Sequence, residues 1–81
     1  MRLQLIDGVI FEGDNELQIL RAMQAASIFT ADYSMDEYIR VLVKNAGIFE
    51  HIRLALPIGD LPARARSLIE QLKVQGLAKE V

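Results

Sequence analysis

The spacing of apolar and polar positions changes several times along this chain, and each change marks an element. Residues 3–12 read Leu-Gln-Leu-Ile, then Asp-Gly, then Val-Ile-Phe-Glu. Asp-Gly between two apolar runs predicts a β-hairpin, because a type I′ turn needs positive φ at both central residues. Such a turn sets Ile6 opposite Val9, Leu5 opposite Ile10, Gln4 opposite Phe11 and Leu3 opposite Glu12. Alternation then places Leu3, Leu5 and Ile10 on one face, with Ile6, Val9 and Phe11 on the other. A hairpin with one face in water alternates more cleanly than this. Each face is therefore expected to be covered, one by a helix and the other by a tail, a loop or a second subunit.

After Gly13 the period lengthens. Leu17, Leu20 and Met23 form a helical stripe that runs on to Ala26 or Ser27, with Arg21 and Gln24 facing out. Asp14 is the expected N-cap, and the helix is expected to end near Ile28 and Phe29. Ser34-Met35-Asp36-Glu37 has the spacing of a capping box and predicts a second helix. Its inward positions are Met35, Tyr38 or Ile39, Leu42 and Ala46, and Gly47 is the expected left-handed stop. From Ile52 to Ile58 two periods compete. Alternation of Ile52, Leu54, Leu56 and Ile58 suits a third strand, whereas Ile48, Ile52 and Leu56 suit a helical or irregular segment. Asp60-Leu61-Pro62 opens a third helix, which buries Leu61, Ala65, Leu68, Ile69 and Leu72 and stops at Gln75-Gly76-Leu77. The tail from Leu77 to Val81 either frays or lies beside a sheet edge.

These elements compose one α+β domain over residues 1–81, an N-terminal β-hairpin packed against three α-helices, with a third short strand left open at 52–58. Composition then changes what is expected of the surface. A chain of this length buries only about 60% of the area its unfolded form exposes. Yet 52% of its residues are hydrophobic, so some apolar surface should remain for a partner. Nine basic against eleven acidic residues give a net charge of −2, which removes the electrostatic case for a general nucleic-acid or anionic-membrane binder. Without cysteine there is no disulfide framework and no thiolate chemistry. No signal sequence is evident, and no run nears the roughly 20 apolar residues that span a bilayer. A cytoplasmic protein is expected.

Chemistry is sparse. His51 is the one imidazole and follows Glu50, without a second His at metal-ligand spacing. Ser27, Ser34 and Ser67 lack a nucleophile-elbow context, and Ser34 already caps a helix. Gly8 and Gly13 have the spacing of a phosphate loop, but no Lys-Ser/Thr pair follows them. No catalytic residue, metal ligand or cofactor site is assigned, and an enzyme is not expected. Arg64, Arg66 and Lys73 on the third helix could touch phosphates in a small DNA-binding regulator, the alternative reading. Bulky groups at loop positions favour an interaction module instead, most simply a homodimer or a binder of another protein. The candidate interface residues are Ile6, Val9, Phe11, Phe29, Tyr33 and Phe49.

Overall fold

The computed structural model describes residues 1–81. Strands β1 (Arg2–Leu5) and β2 (Ile10–Glu12) form the hairpin, followed by helices α1 (Glu16–Ala26), α2 (Met35–Phe49) and α3 (Leu61–Val74), and then strand β3 (Ala78–Glu80). The sheet is antiparallel with order β2-β1-β3. An α+β domain with an N-terminal hairpin is therefore what the chain forms.

The hairpin register differs from expectation by one residue. Leu3 pairs with Phe11 and Gln4 with Ile10. The loop is three residues, not two: Leu5 N–H donates to Val9 C=O (2.9 Å), and Gly8 N–H to Leu5 C=O (2.9 Å). Gly8 alone takes positive φ (93°), while the Asp7 carboxylate accepts from Val9 N–H (3.0 Å) and holds the turn. A glycine in the left-handed region after a tight turn is the usual three-residue solution. The one-residue slip turns all of β2 over. Phe11 joins Leu3 on the core side, half-buried, and Ile10 is exposed.

The third strand is the C-terminal tail, not residues 52–58. Gly76 (φ 75°) ends α3, with Gly76 N–H donating to Lys73 C=O and Leu77 N–H to Leu72 C=O (3.1 and 2.9 Å). That pair of bonds is a Schellman stop, and buried Leu77 is its apolar latch. The stop aims Ala78–Glu80 at β1, where Ala78 pairs with Leu5 and Glu80 with Leu3. Residues 51–58 instead run past α3 without a ladder. There the Gln71 side-chain amide serves as a one-residue strand partner, accepting from Ala55 N–H (2.7 Å) and donating to Ala55 C=O (3.0 Å).

Helix boundaries moved where caps compete. Asn15, not Asp14, caps α1 by accepting from Gln18 N–H (3.0 Å), and Gln18 reaches back to Asp14 N–H (2.7 Å). The helix stops at Ala26, two residues early. The Ser34–Glu37 capping box on α2 is present in both directions. Gly47 is helical and does not stop α2. His51 takes the positive φ (55°), and the N–H groups of Glu50 and Ile52 both donate to Ala46 C=O (3.2 and 3.0 Å). Asp60 caps α3 by accepting from Ala63 N–H (2.8 Å), with Pro62 in the first turn, where its missing donor costs nothing.

Leu3, Ile19, Leu20, Ile39, Leu68 and Ile69 are fully enclosed. The core thus lies between the inner face of the sheet and the helices, with α1 against α3 and β2, and α3 also against β3. No helix is long and apolar enough to cross a membrane.

Candidate interaction surface

Two apolar features stand out on the surface. The first is a groove of about 280 Å³ between the hairpin turn and the helices, floored by Leu5, Met23, Leu42, Ala46, Leu72 and Leu77. The left-handed stop after α3 delivers Leu77 there, and the three-residue hairpin loop delivers Leu5. Ile6 and Phe49 stand at its border, 62% and 71% exposed. Its other lining residues include the carboxylates Asp7 and Glu50, neither of which has an ion-pair partner.

The second feature is the connection between α1 and α2. Gln24, which the periodicity turns outward, is buried and donates to the backbone carbonyls of Thr30 (3.1 Å) and Tyr33. Ser27 N–H to Gln24 C=O (3.1 Å) and Tyr33 N–H to Thr30 C=O (3.0 Å) tighten the same turn. A buried amide is costly unless it is paired, so this one fixes the path of residues 27–33. Ile28 and Phe29 project from that braced loop, 87% and 82% exposed.

Of the six expected interface residues, Ile6, Val9, Phe29, Tyr33 and Phe49 are exposed, and Phe11 is packed against the core. Ile6 and Phe49 meet at the groove, whereas Phe29 and Tyr33 share the loop. The groove floor was not visible in sequence, because each of its residues also reads as ordinary core. The role of Gln24 was equally hidden, because a helical period carries no information about the loop beyond the helix.

Of the nine basic side chains, four (Arg2, Arg40, Arg64 and Lys73) are ion-paired within the chain. Arg64 donates to Asp36, as does Arg40 (3.1 Å), tying the first turn of α2 to α3. The Arg64 hydrogen bond, followed by that from Arg40, holds the Asp36 carboxyl below the usual range. Lys73 bridges Glu70 (2.7 Å) and Glu80 (2.8 Å), so its ammonium titrates higher than an ordinary lysine and the Glu80 carboxyl lower than an ordinary glutamate. Of the three basic residues expected to meet phosphates, only Arg66 is exposed without a carboxylate partner. Burial pushes the Tyr38 hydroxyl up to about 12, so it stays neutral. His51 is exposed, and no three His, Asp or Glu side chains gather as a metal site.

Compared with protein-family models, curated proteins and solved structures, the chain matches none.

Proposed function

We propose that the chain is a small, non-enzymatic protein–protein interaction module that self-associates as a homodimer in the cytoplasm. The observation that carries this reading is the apolar groove with exposed Ile6 and Phe49 at its border. A fold this small needs its apolar side chains for its own core, and a large exposed aromatic beside an unfilled apolar groove is the signature of a contact surface. The cytoplasmic placement rests on the cysteine-free composition. Static light scattering on purified protein at micromolar concentration tests the homodimer. Twice the chain mass of 9.1 kDa is expected, and a clean monomer overturns it.

A further inference from the structure

We propose that the C-terminal end of α2 binds a small organic anion, a phosphate or carboxylate headgroup on an apolar body. The site goes beyond the self-association above and does not depend on it. Two of the basic side chains that lack an ion-pair partner, Lys44 and Arg53, line one concavity of about 450 Å³. His51, the one imidazole of the chain, lines it with them. No Asp or Glu does, and Glu50, next in sequence to His51, lines the apolar groove instead. The chain carries −2 overall. Distant carboxylates are nevertheless screened over about 8 Å at physiological salt, so the local cations set the field in the concavity.

Cations near the end of a helix have an ordinary explanation in the helix dipole, and magnitude decides against it here. A helix C-terminus presents about half a negative charge, whereas Lys44 and Arg53 bring two full positive ones. Positive charge is left over. The donors also suit an oxyanion: a planar guanidinium, an ammonium, and an imidazole that offers an N–H in either protonation state. His51 adds a second observation. It holds φ at 55° directly after the α2 cap, where glycine is the usual residue. Its side chain is exposed, so packing does not account for a histidine there. A local rule broken without a packing gain points to a functional position. Val43, Ile48, Ile52 and Leu54 supply the apolar wall, Ile48 being half-exposed. Apolar walls with a few polar groups, at a volume above about 300 Å³, are the usual make-up of a small-molecule site.

Titration of isotope-labelled protein with phenyl phosphate, followed by amide NMR shifts, tests the site. The amides of residues 44–54 are expected to move along saturating curves with a Kd of about 1 mM or tighter. Inorganic phosphate, which reaches the cations but not the apolar wall, should bind about threefold or more weakly. Benzoate run in parallel distinguishes the two headgroups: the tighter ligand names the class, and either supports the site. Lys44→Gln combined with Arg53→Gln should weaken binding about tenfold, the sum of two exposed ion contacts. The fold should be unchanged, because both side chains are exposed and unpaired. His51→Gly should raise the melting temperature by relieving the positive φ and yet weaken binding; a higher melting temperature with unchanged affinity overturns the assignment of His51. Shifts that stay linear to about 20 mM overturn the site, as do shifts scattered over the whole surface, equal binding of phenol, or an unaffected double variant.

Discussion

Leu3 faces Phe11 across the hairpin, and that single pairing determines which side of β2 belongs to the core. With Leu3 fully enclosed and Phe11 packed against the same cluster, Ile10 is left on the opposite, exposed face. Phe11→Ala should therefore cost about 2 kcal/mol in urea unfolding, below the range for a fully buried Phe because Phe11 is half-buried. Ile10→Ala should cost less than about 1 kcal/mol. The two-residue turn predicts the reverse order, so this pair of variants tests the register without a further structure.

Gln24 braces the loop between α1 and α2 with its side-chain amide. Gln24→Ala leaves the Thr30 and Tyr33 carbonyls without that donor, at a cost of about 1–3 kcal/mol. Hydrogen exchange should accelerate at Thr30 and Tyr33, whose amides close the loop turns, while amides in α3 change only with global stability.

Asp36 connects stability to pH. Its carboxyl titrates lower in the folded chain than in the unfolded chain because Arg64 and Arg40 donate to it. It therefore stabilises the fold at neutral pH, and that contribution is lost as pH falls below about 4 through the lowered folded value. Glu80, held by Lys73, acts in the same sense. Melting curves of Asp36→Asn should show a lower melting temperature at pH 7 and a shallower decline between pH 5 and pH 2 than the wild type.

Two glycines should respond to alanine with opposite signs. Gly47 lies inside α2 with open space around an added Cβ, so Gly47→Ala should stabilise by about 0.5–1 kcal/mol through helix propensity. Gly76 has equally open space but a φ of 75°, so Gly76→Ala should destabilise by about 1 kcal/mol through backbone strain at the α3 stop. Equilibrium denaturation of the two variants in parallel checks both signs.

Much of the architecture was legible in the chain itself. The Ser34–Glu37 box, Asp60 followed by Pro62, and Gln75-Gly76-Leu77 each satisfy backbone groups within a few residues, so local chemistry suffices to place them. The inward positions of α2 and α3 followed from their period, as Ile39, Ala46, Ala65, Leu68, Ile69 and Leu72 show. Adjacent capping side chains were harder: Asp14 and Asn15 compete for one role, and one residue of backbone geometry selects Asn15. The two exposed anchors of the groove, Ile6 and Phe49, were also legible, but its floor was not.

By itself, then, the sequence determined the class of fold, the three helices, the hairpin and the presence of apolar groups at loop positions, because caps, turns and periods are local interactions. Tertiary structure alone decided the hairpin register, the third strand and the fate of Gln24. Each depends on groups far apart in the chain: β2 turns Phe11 inward because Leu3 is its partner, and the tail completes the sheet because Leu77 anchors it beside β1. Residues 51–58 stay out of the sheet, their Ala55 held by Gln71. The groove is likewise a product of assembly, since Leu5, Met23, Ala46 and Leu77 meet only when the hairpin turn and all three helices have packed.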